Sequence, residues 1–189
     1  MSFVGTLAEK SNVSIWIAKL DDGLGTPYVS ATGFPNATSQ RRLTSIETIH
    51  DHFGDGISIN STYNTVLDLP TGIYVFDVRM STRPSSTATT YSTRLAARGL
   101  NIGVSFSTTS DLTRITRTSY PSYFEDQDSG GQEGLSFVYE SVNDEGKVSI
   151  GMARSHSSGG GSTINYVDTS ANTDSEDTGK ARILIMRIE

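Results

Sequence analysis

ISINSTYNTVLDLPTGIYVFDVRM, residues 57–80, is the stretch on which the reading of the fold turns. Ile57 and Ile59 open it, a polar turn follows, and Val66, Leu67 and Leu69 lead into a second turn at Pro70-Thr71-Gly72 before the run 73–80. In that run Tyr74, Phe76 and Val78 alternate with Ile73, Val75, Asp77 and Arg79. One face is apolar and the other mixed, the pattern of a strand in a sheet covered on one side. Pro70 has no N–H to give to a ladder, and Gly72 reaches backbone conformations closed to other residues. The stretch reads as two strands joined by a corner.

The flanking sequence continues this texture. Residues 11–20, SNVSIWIAKL, put Val13, Ile15 and Ile17 on one face and Trp16, Ala18 and Leu20 on the other. Both faces are apolar, so this strand is expected in a sheet centre or an interface. The closing run 181–189, ARILIMRIE, shows the same double-faced apolarity. Residues 100–110, LNIGVSFSTTS, alternate Leu100, Ile102, Val104 and Phe106 with small or polar neighbours and read as a strand. Residues 135–154 read as a hairpin turning at Asn143-Asp144-Glu145-Gly146. Only 41–56 looks helical, through Leu43, Ile46, Ile49 and Phe53 at spacings of three, three and four. Glycine, proline, serine and threonine mark 21–40, 81–99, 125–132, 155–161 and 168–179 as loops, with a short strand within 91–95. About eight to ten short antiparallel strands with turn signals between them predict an all-β sandwich of the jelly-roll type. The expected organisation is an N-terminal extension or arm over 1–56 carrying one strand, and a jelly-roll domain over 57–189.

Composition narrows the function. A formal net charge of −6 argues against a nucleic-acid binder, whose phosphate contacts need a concentrated basic face. No cysteine is present, which removes disulfides, thiolate metal sites and a cysteine nucleophile. No stretch approaches the roughly 20 apolar residues of a membrane-spanning helix, and the N-terminal residues lack the pattern of a secretory signal, so a chain made soluble and not secreted by a cleaved signal is expected. Three Asn-x-Ser/Thr sequons, at Asn12, Asn36 and Asn60, are what chance places in so serine- and threonine-rich a chain.

Within the opening stretch, Tyr63-Asn64, a short strand, then Pro70, Gly72, Tyr74 and Phe76 form a pattern that resembles the core signature of the tumour-necrosis-factor-like and complement-globular-head jelly rolls, including small trimeric versions on bacteriophage particles. The closing strand, after a long acidic loop, stands where that family puts its last, central strand. The resemblance covers roughly residues 57–189. It departs from the family pattern two residues before the proline, where Asp68 replaces the usual Phe. It implies a tight homotrimer, with Trp16, Tyr74, Phe76, Ile183 and Ile185 as core or trimer-packing residues.

Catalytic and metal-binding patterns are weak by comparison. His50, His52 and Asp55 are the densest set of metal-ligand types, yet a single His-x-His beside a turn is most often surface. Acidic groups at Glu125, Asp126 and Asp128, and at Asp168, Asp174, Glu176 and Asp177, lack the spacing of a calcium loop. No nucleophile elbow, phosphate loop or paired carboxylates stand out, so no catalytic residue, cofactor or metal is assigned. The arginines at 79, 83, 94, 98, 114 and 117 are spread among strands and loops. The expectation is a non-enzymatic structural protein on the outer surface of a virion, made in the host cytoplasm: a homotrimeric capsid decoration (cement) or head-fibre protein in contact with capsid protein. The alternative is a glycan- or receptor-binding jelly roll using Trp16, Tyr120 and Tyr123 as stacking aromatics.

Overall fold

The computed structural model describes residues 12–20, 38–40, 43–84, 91–118, 122–124, 131–156, 164–166 and 182–189. They form strands β1 (Ser14–Leu20), β2 (Thr38–Gln40), β3 (Leu43–His50), β4 (Ser58–Ile59), β5 (Leu67–Leu69), β6 (Gly72–Pro84), β7 (Tyr91–Gly99), β8 (Thr113–Arg117), β9 (Ser122–Phe124), β10 (Gly131–Ser141), β11 (Gly146–His156), β12 (Ile164–Tyr166) and β13 (Arg182–Arg187). A single 3-10 turn at Thr109–Asp111 is the only helical element among the described residues. The strands build two antiparallel sheets. One has six strands in the order β10-β6-β13-β1-β3, with β12 also on β6; the other has seven in the order β4-β5-β11-β7-β8, with β2 on β11 and β9 on β7. The architecture is a jelly-roll β-sandwich.

Period-two alternation fills the space between the sheets. Trp16, Ala18 and Leu20 of β1, Tyr74, Phe76 and Val78 of β6, Leu135 and Phe137 of β10, and Ile183 and Ile185 of β13 face Leu67, Leu69, Leu95, Ala97, Val148 and Ile150 of the other sheet in one cluster. Phe76 stacks flat on Phe137 at 4.7 Å between ring centroids, the contact that their direct cross-strand pairing makes available. A second cluster of Val66, Leu100 and Leu112, with Tyr63 and Phe106 packed on it, closes one end.

The corner at residues 70–71 carries the chain from β5 in one sheet to β6 in the other. The connection 142–145 does the same between β10 and β11, and the two crossings lie side by side. Gly72 pairs with Ser141 on one side of the bend and Leu69 with Gly146 on the other, so two residues of one path run beside four of its neighbour. A single antiparallel ribbon is thus folded across the edge of the sandwich. The bend is clamped: the N–H and Oγ1 of Thr71 donate to Asp144 Oδ1 (2.7 and 3.0 Å), and the N–H of Asp144 donates back to Thr71 Oγ1 (2.9 Å).

This corrects the expected hairpin over 135–154. The local turn is of hairpin type, with Asn143 and Asp144 both at φ 58° and Glu145 N–H bonded to Val142 O, yet β10 and β11 belong to different sheets. Tertiary packing redirects the strands. Gly146 is pressed against Ser141, where a Cβ would stand 2.3 Å from Ser141 Oγ, and that hydroxyl is held by Leu69 O on β5 (2.9 Å).

The helix expected within 41–56 is strand β3. Its three-three-four spacing of apolar residues coincides with an edge strand on which only Leu43 is buried. Ile46 turns inward beside Ala18, and Ile49 occupies a bulge at 37% exposure. β-branched Thr44, Ile46, Thr48 and Ile49 favour the ladder with β1 over a helix. The strand expected within 100–110 is a loop, because Gly103 takes φ +79° and Val104 N–H turns back to Asn101 O (3.1 Å). This breaks the alternation and leaves Ile102 67% exposed. In place of an arm with one strand over 1–56, the described part of that stretch supplies β1, β2 and β3, and β1 lies between β13 and β3. The apolar faces of β1 require cover from neighbouring strands, which an isolated arm would lack.

Candidate functional site

Trp16, Tyr74, Phe76, Ile183 and Ile185 all point into the sandwich at 1% exposure or less. None is on the surface of a single chain. Trp16 is therefore not placed as a stacking platform for a ligand: its ring packs 6.5 Å from Tyr74 in the core. Strand alternation puts different residues of the same strands on the outside.

On the outer face of the six-stranded sheet, the cross-strand register lines up Val138, Val75, Met186 and Ile15 in one row and Ser136, Asp77, Leu184 and Ile17 in the next. Ile73 and Ile188 extend the apolar area towards the corner through reciprocal backbone bonds of Ile73 with Ile188 and Glu189. Towards the other end the next row is Arg79, Arg182 and Lys19. Arg79 pairs with Asp77 and Lys19 with Glu47, so the charged row is balanced by acids of the adjoining row. Along its length the face grades from apolar to ionic. Ile17, Val75, Leu184 and Met186 are half-buried and Ile15 is buried, each shielded by neighbours in the same face, while Val138 is 60% exposed. The signal for these residues lies in the doubly apolar runs of β1 and β13, of which only the inward members Trp16, Ile183 and Ile185 are expected from sequence as packing residues.

The signature residues hold the end of the sandwich at which the ribbon bends. Tyr74 Oη donates to Pro70 O (3.0 Å), and burial pushes its phenol far above the ordinary range. Arg187 is buried, stacks its guanidinium 4.3 Å from the Phe53 ring centre, donates from Nε to Glu189 O (3.1 Å) and pairs with Asp55. Gly72 lies directly beneath, where a Cβ would come within 2.2 Å of Glu189 O and 2.5 Å of Arg187 Nε. Tyr63 donates to Ser107 O (3.0 Å) and meets Phe106 edge-on, and Asn64 O accepts from Leu43 N–H (2.7 Å). The signature is therefore a set of corner and end fastenings.

The remaining candidates disperse. His50 and His52 have ring centres 6.4 Å apart, but the neighbouring carboxylates have other partners. Asp51 accepts from Ser14 Oγ and Gly54 N–H, and Asp55 from Arg187. Among the described residues no three His, Asp or Glu side chains gather around a cation position. Arg98 and Arg114 face each other across β7 and β8, and Arg117 pairs with Ala96. Asn60 Nδ2 is bound by Asp68, so this sequon's amide is engaged within the fold. Tyr120, both acidic groups and Asn36 lie outside the described residues, as do the side chains of Tyr123, Arg83 and Arg94. A half-open recess of about 110 Å³ lies between the 100–104 loop and the 142–146 turn.

No protein-family model matches this sequence, and no curated protein does. Solved structures do match in three dimensions. The crystal structure of murine APRIL at pH 8.0 superposes with a TM-score of 0.53 at 7% identity, over 93% of this chain and 98% of that one. The structure of murine APRIL at pH 8.5 gives 0.51, again at 7% identity and the same coverage. A match over 93% of the chain reaches well into residues 1–56, as the position of β1 requires. The likeness is one of fold, and the fold is a tumour-necrosis-factor-like jelly roll.

Proposed function

We propose that this protein is the subunit of a non-enzymatic homotrimer that serves as a structural component on the outer surface of a virus particle, as a capsid decoration (cement) or head-fibre protein. The observation that carries the trimer is the outer face of the six-stranded sheet. Ile17, Val75, Leu184, Met186 and Val138 form a continuous apolar area around the buried Ile15, on a sheet whose other face already fills the core. Contiguous apolar surface of this kind marks an interaction site. Three-fold association of equivalent faces buries it and leaves the charged row of Lys19 and Arg79 at the rim. The sequence resemblance to trimeric jelly rolls, including those of bacteriophage particles, supports the same reading, and the capsid is the partner that it implies.

Sedimentation of the purified chain tests the assembly. The expected species is a trimer at micromolar concentration, reduced to a monomer by Met186→Asp with the far-ultraviolet circular dichroism unchanged; a wild-type monomer overturns the proposal. The particle role is tested by comparing capsids assembled with and without the protein for disruption by heat or chelator. Equal stability of the two, together with specific signals on a glycan array, decides instead for a glycan-binding module.

A further inference from the structure

Asp68, the departure from the family pattern, sits on the outer face of the seven-stranded sheet between two other functional groups. Its Oδ1 is 3.1 Å from Lys147 Nζ on β11, its direct cross-strand partner. The same oxygen accepts a hydrogen bond from Asn60 Nδ2 at 3.0 Å, and Oδ2 accepts from that nitrogen at 3.1 Å. The carbonyl oxygen of the Asn60 amide in turn accepts from two backbone N–H groups, of Tyr63 at 2.8 Å and Thr62 at 3.1 Å. The Lys147 side chain is 16% exposed and lies over the Phe106 ring at 5.9 Å.

An amine, an amide whose oxygen is held by two N–H donors, and a carboxylate touching both nitrogens are the parts of an acyl-transfer site. We propose that Lys147 and Asn60 form an intramolecular isopeptide bond with Asp68 as the proton carrier. In this step Asp68 takes one proton from the Lys147 ammonium, and the free amine adds to Asn60 Cγ. The negative charge on the amide oxygen falls under the N–H groups of Thr62 and Tyr63, already at the distances an oxyanion requires. Asp68 passes its proton to Nδ2 and accepts a second from Nζ; the Cγ–Nδ2 bond breaks, and ammonia leaves carrying that proton as ammonium. One amide bond replaces another, Asp68 ends ionised as it began, and no oxidant or cofactor enters. The product staples the chain after β4 to β11 across the intervening β5, a covalent tie in a protein without cysteine.

Intact-mass spectrometry of the purified full-length chain, fresh and after prolonged incubation at alkaline pH, tests this. The expected mass is that of the sequence less one ammonia. Proteolysis should then release a branched peptide joining the segments that contain Asn60 and Lys147. Lys147→Ala and Asp68→Ala should each restore the full mass. An unreduced wild-type mass under both conditions overturns the proposal, as does ammonia loss confined to a linear Asn60 peptide, which would be a succinimide. The wild-type readout decides even if a variant fails to fold.

Discussion

Asp55→Ala should destabilise the fold by about 2 kcal/mol, through a charge that it does not itself carry. The Arg187 side chain is 10% exposed and its partner Asp55 48% exposed, so the pair is half inside the protein. Exposed pairs contribute about 1 kcal/mol or less, whereas removing one member of a buried pair costs about 3–5 kcal/mol because the other charge is left without a partner. An arginine held on Phe53 and on Glu189 O cannot swing out to water without giving up both contacts. The cost therefore falls between the two limits. Arg187→Met removes the charge and keeps much of the volume, so it should cost only about 1 kcal/mol, chiefly the lost hydrogen bond. The double variant should resemble Arg187→Met alone, about 2 kcal/mol more stable than the sum of the single changes. Urea denaturation of the four proteins, followed by tryptophan fluorescence of Trp16, measures the cycle. If Asp55→Ala lies within about 0.5 kcal/mol of wild type, or if the two changes add, the idea of a charge held captive between Phe53 and Glu189 is wrong.

Three further outcomes follow from the same corner and core. Gly72→Ala places a Cβ 2.2 Å from Glu189 O, so the backbone bonds of Ile73 with Ile188 and Glu189 must open; hydrogen exchange should show the end of β13 unprotected while the middle of β6 keeps its protection. Phe76→Ala empties the space stacked on Phe137 and should cost about 3–5 kcal/mol in urea titrations, a large part of a typical domain's stability. The two Thr71 donors hold Asp144 below the usual carboxylate range, and the Thr108 and Ser107 donors do the same for Asp111. A carboxyl whose folded pKa is depressed stabilises the protein above its unfolded pKa of about 4 and loses that contribution as the pH falls through the folded value. Thermal midpoints should therefore drop below about pH 4, and the Asp144→Asn/Asp111→Asn double variant should show a shallower drop over that range.

Much of the architecture was legible in the sequence wherever side-chain alternation coincided with burial. Tyr74, Phe76 and Val78 announced β6, and the unbroken apolarity of 183–186 announced a strand in the middle of its sheet. Legibility failed where two periods agree over a short window. Leu43, Ile46, Ile49 and Phe53 fit a helix face, yet they belong to an edge strand with a bulge and a residue beyond it under Arg187. It failed again where the local code is the same for two global outcomes. The turn at Asn143 and Asp144 has hairpin geometry, and only the seating of Gly146 against Ser141 and the bonds to Thr71 show that the chain changes sheets. The candidate interface is half legible: both faces of β1 and of β13 read as apolar, while the assignment of Ile15, Ile17, Leu184 and Met186 to the outside depends on knowing which face the second sheet covers.

The place of β13 has a consequence for how the chain is made. Ser14 pairs with Arg187, so β1 leaves the ribosome long before one of its two lattice partners. At a synthesis rate of roughly 5–20 residues per second, β1 and β6 wait several seconds or more with facing edges open, and the gap between them is filled only when residues 182–187 emerge. During that interval the nascent chain presents two unpaired strand borders and an uncovered apolar floor, the surfaces that pair wrongly with other chains. A chain lacking residues 182–187 would then have a sheet split down its middle, and its chaperone dependence in the cell should track those residues more closely than any surface loop.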